Sequence, residues 1–318
     1  MTIQMGLQIP NFSYGTGVEN IFPSVVAQTR EAEDAGFDSV FLMDHFYQLP
    51  MLGSLNEPML EAYTTLAALA GATTRIQLGT LVTGITYRNP ALLAKIITTL
   101  DVVSAGRAIL GTGAGWFEAE HTAYGFEYGT FTDRFERLTE ALALIAPMIR
   151  GEEAALQGKW YRADSAFTEP RYRGDIPVML GGSGERKTFR LAARYADHLN
   201  IMAPFSELKA KREVLARRCE EIDRDPATLQ TSALVIVNVD ETASAPEGME
   251  EVAVFGSAPQ IAEQLKKRVF DAGIDSVIVN LPLHGHTPGL ITEVGKAIHE
   301  VLPHRVIPEW TRTALPEV

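Results

Sequence analysis

Two adjacent side chains that can handle protons, Asp44 and His45, directly follow the apolar run of residues 41–43. Histidine is suited to acid–base chemistry because its unperturbed pKa is about 6.5. The preceding carboxylate can either orient the imidazole or hold the turn of the chain. If the apolar run is a buried strand, the pair lies at its carboxyl end and predicts a proton-transfer site there. The other interpretation is a turn aspartate with an exposed neighbour.

Glycine clusters follow three further apolar runs, and they predict places where the backbone approaches a ligand. The segments are LGTLVTGITYRNP (78–90), LGTGAGWFEAEH (110–121) and VMLGGSGERK (178–187). Because glycine has no side chain, a flat or phosphorylated ligand can lie against the backbone. The third segment runs into a predicted helix, whose first amides and dipole suit a phosphate. One such cluster is a weak signal, but three at one rim reinforce each other.

Strand-like and helix-like segments alternate along the chain, which predicts a parallel sheet with helical crossovers. Predicted strands cover residues 3–9, 38–43, 76–82, 107–112, 176–181, 198–203, 231–238 and 275–281. Predicted helices cover residues 22–35, 58–71, 90–104, 132–149, 185–196, 206–223, 257–272 and 289–302. Eight alternations of this kind predict a single (β/α)8 TIM barrel forming one domain over residues 1–318. An open doubly wound sheet is the alternative.

Two stretches interrupt the alternation and are predicted to be excursions: residues 151–175 after the fourth helix and residues 239–256 after the seventh strand. One junction occurs twice, as AGFDSVFL (35–42) and AGIDSVIV (272–279). Both copies predict a helix that ends at a left-handed glycine and leads into a buried strand. The active site of such a barrel lies at the carboxyl ends of its strands. Asp44, His45 and the glycine clusters are therefore expected to share one site.

Composition limits the classes of partner. The 318 residues carry a formal net charge of −12, which argues against a nucleic-acid partner. We find no signal peptide and no apolar window long enough for a membrane span, so a cytoplasmic protein is expected. The single cysteine, Cys219, excludes an intramolecular disulfide. No CxxC or HExxH motif is present, and His284 and His286 are interpreted as loop residues, so no metal site is predicted.

The segments FLMDHF, LGTLVTGITYRNPALLAK, LGTGAGWFEAEHTAYGF and VMLGGSGERKTFRLAARYADHLN together resemble the luciferase-like flavin monooxygenase superfamily. They are most similar to its branch of oxidoreductases that use the deazaflavin coenzyme F420. The resemblance covers nearly the whole chain in the right order. It implies a barrel enzyme whose cofactor ring lies over the barrel mouth.

The resemblance also implies a role for individual positions. Asp44 and His45 would lie beside the ring as catalytic residues. A bulge at the end of the third strand would lie behind the ring, with a cis peptide between Leu81 and Val82. The residues that would contact the cofactor are Leu81, Val82 and Thr83 at the bulge, Gly113, Ala114 and Gly115 near its tail, and Gly181, Gly182, Ser183 and Gly184 at its phosphate.

The cofactor is expected to be F420, with FMN as the alternative, because both carry a phosphate. F420 has a longer anionic tail, which needs basic side chains near the rim. The candidates are Arg88, Arg134, Arg137, Arg171, Arg173, Arg186 and Lys187. A deazaflavin transfers a hydride, whereas reduced FMN can support a monooxygenase.

The substrate is expected to be a small hydrophobic organic molecule, since residues 46–62 are mostly apolar. Relatives that oxidise glucose 6-phosphate carry a glutamate and a tryptophan where this chain has Ala114 and, approximately, Leu49, so that reaction is not expected. Related barrels pair through helices two and three, and the small apolar residues of helix two here predict a homodimer.

Two functions from other classes remain open at this point. One is a catalytically silent member that binds flavin or nothing. The other is a lyase or hydrolase that uses His45 with Glu118 or Glu120 as an acid–base pair. A titration with each cofactor separates the lyase or hydrolase, which needs no flavin, from a flavin-type enzyme.

Overall fold

The computed structural model describes residues 3–240 and 248–303 of the chain. The strands of this part are β1 Met5–Ile9, β2 Ser39–Leu42, β3 Gln77–Thr80, β4 Thr83–Gly84, β5 Ala108–Gly113, β6 Ala154–Gln157, β7 Arg162–Ala166, β8 Val178–Gly181, β9 His198–Ile201, β10 Gln230–Asn238, β11 Ala253–Phe255 and β12 Ser276–Asn280. The α-helices are α1 Ile21–Asp34, α2 Ala62–Ala72, α3 Pro90–Val103, α4 Glu118–Tyr124, α5 Phe131–Arg150, α6 Thr188–Tyr195, α7 Leu208–Glu220, α8 Ala258–Leu265 and α9 Leu290–His299.

Eight parallel strands close into a barrel in the order β1, β2, β3, β5, β8, β9, β10 and β12. Pairing of β9 with β10 and of β12 with β1 completes the ring. The helices pack around the outside of this barrel. The predicted (β/α)8 architecture is confirmed, and the open doubly wound alternative is wrong.

The two predicted excursions contain additional structure. Residues 151–175 include an antiparallel hairpin formed by β6 and β7. The second excursion includes β11, which pairs in parallel with the end of β10, while its residues 241–247 lie outside the described residues. No helix in the described part of the chain is long and apolar enough to cross a membrane.

The barrel strands are buried on both of their faces. On the inside, Phe41, Ile109, Met179 and Ile278 pack together in a compact cluster. On the outside, the strands pack against the surrounding helices in a second, larger cluster. Burial on both faces explains why these strands are continuous apolar runs in the sequence rather than alternating ones.

The repeated junction has the same geometry in both copies. Gly36 and Gly273 adopt left-handed φ values of 84° and 86° at the ends of their helices, as predicted. The next aspartate then fixes a neighbouring strand. Asp38 Oδ2 accepts hydrogen bonds from two amides that lead into β1, at 2.7 and 2.9 Å. Asp275 Oδ2 accepts an amide at the start of β10, at 2.8 Å. The motif therefore fixes the base of the barrel and, through it, the register at the opposite rim.

Candidate active site

The chain makes a bulge where β3 ends. The Leu81–Val82 peptide is cis, as the resemblance implied, and the chain then continues as β4, which pairs with β5. Gln8 Nε2 donates to the Leu81 carbonyl at 3.0 Å. Thr83 is fully buried, and its hydroxyl lies 2.7 Å from the Tyr63 hydroxyl. The Thr83 side chain thus supports the bulge from behind and does not face the rim.

Val82 lies between two strand ends that carry no side chain. A Cβ atom at Gly113 would lie 3.0 Å from Val82 Cγ2, and one at Gly181 would lie 3.1 Å from Val82 Cγ1. A side chain at either position would press on Val82, which would have to shift by a few tenths of an ångström. The result is a stretch of bare backbone at the ends of β5 and β8, which suits a flat ring system.

The loop after β8 contains the residues for which a phosphate contact was predicted. Gly182 has φ +136°, a conformation that L residues rarely adopt. The Gly182 amide donates to the Asn200 carbonyl at 3.0 Å, which ties the loop to β9. Ser183 and Gly184 follow, and α6 begins at Thr188. The loop thus leads from a barrel strand to a helix start, the arrangement that binds phosphate in many proteins.

His45 is held by Glu120 and not by Asp44. The Nδ1 atom of His45 lies 2.9 Å from Oε2 of Glu120. That same oxygen accepts the Tyr87 hydroxyl at 2.6 Å. The other oxygen, Oε1, accepts the amides of Phe46 and Tyr47 at 2.6 and 2.9 Å. Glu120 is completely buried, and four donors surround its carboxylate.

These contacts keep Glu120 ionised. Burial acts to raise its pKa, but the hydrogen bonds from His45, Tyr87 and the Tyr47 amide outweigh burial and lower the pKa below its ordinary value. A carboxylate only accepts hydrogen bonds, so Nδ1 of His45 must donate. In the neutral imidazole, Nε2 then keeps the lone pair and can accept a proton. The imidazole retains 13% side-chain exposure.

Asp44 forms a buried ion pair with Arg88. Two guanidinium nitrogens contact the two carboxylate oxygens, at 2.5 and 2.9 Å, and Arg88 also contacts Glu61 at 2.6 Å. Burial raises the pKa of Asp44, while the charge and hydrogen bonds of Arg88 oppose that effect. The guanidinium lies over the Tyr63 ring, 4.8 Å from its centroid. Asp44 therefore links the end of β2 to the segment after the bulge. Of the two roles considered for this carboxylate, the contacts match holding the chain and not orienting the imidazole.

An aromatic group surrounds His45. The rings of Trp116 and Phe117 meet the imidazole edge-on, with centroids 5.7 and 5.8 Å away. Trp116 is 52% exposed. The backbone of Trp116 is held in place by Tyr128, whose hydroxyl donates to the Trp116 carbonyl at 2.8 Å. A large apolar side chain is therefore presented to solvent directly beside the imidazole.

Other apolar side chains are exposed at the same rim. Loops that follow the carboxyl ends of β1, β2, β5, β9 and β12 each contribute at least one of them. They are Val18, Met51, Leu55, Trp116, Met202 and Leu283. Isolated exposed apolar residues are common, so it is their number at one rim that sets this group apart.

Most basic residues proposed from the sequence are engaged inside the protein. Arg134 donates to the Gly115 and Gly129 carbonyls, and Arg137 pairs with Glu127. Contacts of the same kind hold Arg88, Arg171 and Arg173. Among the described residues, the side chains of Arg186 and Lys187 form neither a hydrogen bond nor an ion pair, although Lys187 lies over the Phe131 and Phe135 rings.

A family model described as luciferase-like monooxygenase matches residues 3–247. The chain belongs to this family. Membership of this family, which the motifs predicted, is thereby confirmed. The matched residues include every predicted site position.

Curated relatives of this luciferase-like protein include two F420 enzymes. An F420-dependent glucose-6-phosphate dehydrogenase of Microbacterium testaceum (strain StLB037) is 38% identical over 167 residues, which cover 52% of this chain and 48% of that relative. A second such dehydrogenase, of Nakamurella multipartita, is 35% identical over 188 residues, or 58% of this chain and 54% of the relative. The chain thus spans about half the length of these relatives.

Solved structures share the luciferase-like fold. An F420-dependent secondary alcohol dehydrogenase in complex with an F420–acetone adduct superposes with a TM-score of 0.79 at 21% identity, over 95% of this chain and 100% of that one. The F420-dependent tetrahydromethanopterin reductase from Methanopyrus kandleri gives 0.74 at 16% identity, over 95% and 99%. Identities this low establish the common fold alone.

The luciferase-like site thus has features that sequence reasoning both found and missed. Asp44, His45, the bulge and both glycine-rich strand ends lie at the carboxyl rim, as expected. Glu120 was considered only as one half of an acid–base pair with His45, yet its four donors leave it as an orienting group. Arg88 was assigned to the cofactor tail but binds Asp44. Trp116 was not singled out, although an exposed tryptophan after a glycine cluster is a usable signal.

Proposed function

We propose that this protein is an F420-dependent oxidoreductase that moves a hydride between the deazaflavin and a small apolar organic substrate. The observation that carries the proposal is an imidazole with a fixed Nδ1 proton, next to strand ends without side chains at the rim of a luciferase-like barrel. F420 dependence of relatives with 38% and 35% identity supports the choice of cofactor.

The residues that would hold the cofactor fit a flat ring with a phosphorylated tail. Leu81 and Val82 would support the ring from behind. Gly113, Ala114 and Gly115 would pass beside its tail. Gly181, Gly182, Ser183 and Gly184 would form the phosphate loop, with the amides of Ser183 and Gly184 and the Ser183 hydroxyl as donors, because the Gly182 amide is bonded to the Asn200 carbonyl. Bound F420 supplies two-electron hydride transfer with little reactivity toward oxygen.

The chain itself would supply orientation and a proton path. Nε2 of His45 would accept or donate the substrate proton that accompanies hydride transfer, while Glu120 keeps the Nδ1 proton in place. Asp44 would keep β2 joined to the segment after the bulge through Arg88. Trp116 and the exposed apolar residues of the rim would bind the substrate and exclude water from the imidazole.

The substrate class follows from the rim and not from the relatives. By the resemblance, Ala114 and, approximately, Leu49 stand where the sugar-phosphate enzymes carry a glutamate and a tryptophan, and Leu49 is buried. Apolar secondary alcohols, ketones, enones and imines match the exposed apolar residues better than a phosphorylated sugar does.

Assembly into a homodimer is part of the proposal. The outward face of α2 carries Thr64, Ala67, Ala68 and Gly71, and the outward face of the neighbouring α3 carries Leu92, Lys95, Thr99 and Val103. Lys95 is the one charged residue among these eight. Small side chains allow two copies to approach closely across such a surface.

Binding of purified protein to F420 and to FMN, in parallel titrations followed by absorbance and fluorescence, tests the cofactor. We expect saturable binding of F420 and much weaker binding of FMN. The reduced complex is then mixed with the carbonyl, enone and imine panel, and reoxidation of F420 without oxygen uptake is expected. Binding of FMN alone, with oxygen consumption, would make this a monooxygenase instead. A protein that binds neither would be a silent member or a lyase.

A further inference from the structure

A chain of buried hydroxyl groups lies behind the bulge at the end of β3. The Tyr63 hydroxyl lies 2.7 Å from Thr83 Oγ1, and Thr83 Oγ1 lies 2.9 Å from Thr80 Oγ1. Thr80 Oγ1 in turn lies 3.0 Å from the Gly111 carbonyl oxygen. All of these residues are buried, and the two threonines completely so. The hydroxyl chain therefore runs from the first turn of α2, through the bulge, to β5, and is shielded from solvent.

The direction of every hydrogen bond in the hydroxyl chain follows from its last acceptor. A carbonyl oxygen accepts and cannot donate, so the Thr80 hydroxyl gives its one proton to Gly111. Thr80 must then accept from Thr83, and Thr83 must accept from Tyr63. Burial raises the pKa of Tyr63, so its hydroxyl keeps the proton that it donates. Without the Tyr63 hydroxyl, Thr83 would lose a hydrogen bond at a place that bulk water does not reach.

The hydroxyl chain ends where β3 and β5 approach each other closely. A Cβ atom at Gly111 would lie 1.8 Å from the Thr80 carbonyl oxygen, so a side chain is excluded there. The Thr112 hydroxyl, also on β5, donates to the Thr83 carbonyl at 3.3 Å. Thr83 is therefore held through its side chain by Tyr63 and through its carbonyl by β5.

Tyr63 also contacts the ion pair beside His45. The Arg88 guanidinium, which binds Asp44, lies over the Tyr63 ring. Arg88 further contacts Glu61, the N-cap residue of α2. The beginning of α2 is thus tied to the end of β2 through Arg88 and to the bulge through the Tyr63 hydroxyl.

We propose that Tyr63 is a positioning residue for hydride transfer, because it fixes the bulge behind the cofactor ring relative to the segment that carries His45. The inference rests on the F420 function proposed above. Leu81 and Val82, which would support the ring, directly precede Thr83, so a shift of Thr83 moves that support. Hydride transfer requires closely aligned reacting atoms, and a misplacement of about 1 Å can cost roughly 10²-fold in rate.

Three substitutions test the hydroxyl chain without removing bulk from the core. Tyr63→Phe keeps the ring under Arg88, Thr83→Val keeps the shape of the side chain, and Thr83→Ser keeps the hydroxyl. Amide hydrogen exchange of the cofactor-free proteins, measured on peptides that cover residues 80–87, reports on the bulge itself. Tyr63→Phe and Thr83→Val should speed this exchange about 3- to 10-fold, as expected for loss of one buried hydrogen bond. Thr83→Ser should exchange like the parent.

The same variants are then compared as F420-saturated proteins. Tyr63→Phe and Thr83→Val should lower the single-turnover rate about 10-fold, while the substrate concentration at half-maximal rate stays near that of the parent. The absorbance spectrum of the bound deazaflavin should shift in these two variants, because the bulge would contact its ring. The pH profile of the rate should not move, which separates this role from that of Glu120. Thr83→Ser should turn over like the parent.

Thr29→Val on α1 is the matched control. Thr29 is also completely buried, and its hydroxyl donates to the Val25 carbonyl at 2.8 Å within its own helix. This variant loses a buried threonine hydroxyl of the same kind at a distance from the bulge. Exchange at the bulge, the spectrum of the bound cofactor and the rate should all stay as in the parent.

The outcomes distinguish this inference from the proposed function. Unchanged exchange at the bulge in Tyr63→Phe and Thr83→Val, or a Thr83→Ser variant as slow as Thr83→Val, would overturn the inference. Faster exchange with a rate and spectrum like those of the parent would also overturn it, since Tyr63 would then be structural alone. A parent protein that binds no deazaflavin would overturn the F420 function and with it the role in hydride transfer, while the exchange data would still decide whether the hydroxyl chain holds the bulge.

Discussion

At the scale of single residues, the imidazole of His45 is where proton transfer is proposed to occur. His45→Ala should lower the chemical rate by roughly 10²- to 10⁴-fold, which is the usual contribution of one general acid or base. Cofactor affinity should change much less, because other residues supply the cofactor contacts. Single-turnover kinetics on cofactor-saturated protein measure this rate directly. A variant that turns over like the parent would leave His45 without a catalytic role.

Glu120 is expected to act through His45. Glu120→Gln keeps the size of the side chain but removes the charge that fixes the Nδ1 proton, so the chemical rate should fall and its pH profile should shift. A purely structural role would instead lower stability without moving the profile of the folded enzyme. Asp44→Asn is a useful comparison, because Asp44 has no hydrogen bond to the imidazole among the described contacts.

Stability should also depend on pH through Glu120. Its pKa in the folded protein is lowered, so its ionised form stabilises the fold above the unfolded pKa of about 4.3, and this contribution is lost as the pH falls through the folded value. Glu120→Gln should therefore be less stable than the parent at pH 7, by about 1–3 kcal/mol. The difference in unfolding free energy between the parent and Glu120→Gln should narrow below about pH 4. Urea unfolding at a series of pH values checks this, and a constant gap would contradict it.

The Asp44–Arg88 pair should behave as a coupled unit. Arg88→Ala leaves a buried carboxylate without its partner and should destabilise the fold by about 3–5 kcal/mol. The double variant Asp44→Asn/Arg88→Ala should lose less unfolding free energy than the two single variants together. In the double variant both charges of the pair are gone, so no buried charge is left without its partner. Denaturant midpoints of the four proteins give the coupling energy. Strict additivity would mean that the pair contributes nothing.

At the scale of elements, two substitutions in the loop after β8 distinguish the contribution of the backbone to cofactor affinity from that of a side chain. Gly182→Val should weaken cofactor binding, but φ +136° means that this change also strains the loop. Ser183→Ala avoids the strain and removes only a hydroxyl, so affinity for the phosphorylated cofactor should fall roughly 10-fold. Ser24→Ala, on the outer helix α1, is the matched control. Unchanged affinity in Ser183→Ala would place the phosphate elsewhere.

Elements with apolar patterns were predictable, and those with buried polar faces were not. The strands and helices of the barrel were found close to their predicted bounds, because each buries a continuous or periodic apolar face. The helix α4 was missed since its buried residues are Glu120 and His121, which leaves no apolar period. The same lack of an apolar pattern explains why Glu120 was not predicted as the residue that orients His45. The Glu120 carboxylate can be buried because its hydrogen-bond donors come from residues 45–47 and from Tyr87. The sequence around Glu120 contains no sign of these distant donors.

The site was predictable to the extent that it depends on strand ends. Once a barrel is inferred, every carboxyl end lies on one rim, so Asp44, His45 and the glycine clusters had to meet there. Which arginine contacts which carboxylate depends on side-chain geometry across the rim. Arg88 and Arg186 look equivalent in the sequence, yet one is in a buried pair and the other lines an open groove.

At the scale of the whole molecule, the proposed homodimer depends on the faces of α2 and α3. Sedimentation velocity of the parent should show a dimer at micromolar concentration. Ala68→Glu and Leu92→Glu should each shift the protein toward monomer, because a charge would be buried without a partner. Ala210→Glu, at an exposed alanine of α7, should have no such effect. A parent that sediments as a monomer at all concentrations would reject this interface.

Closure of the ring through β12 and β1 has a consequence for synthesis of the protein. Among the described barrel strands, Met5–Ile9 is synthesised before the others, while its partner Ser276–Asn280 follows about 270 residues later in the chain. During that interval, one side of β1 is a bare apolar edge of the kind that recruits foreign strands. The nascent chain is thus exposed to aggregation at this edge until β12 emerges. Pausing of translation within residues 248–275 would prolong that exposure, and a chaperone bound at β1 would cover the edge during it.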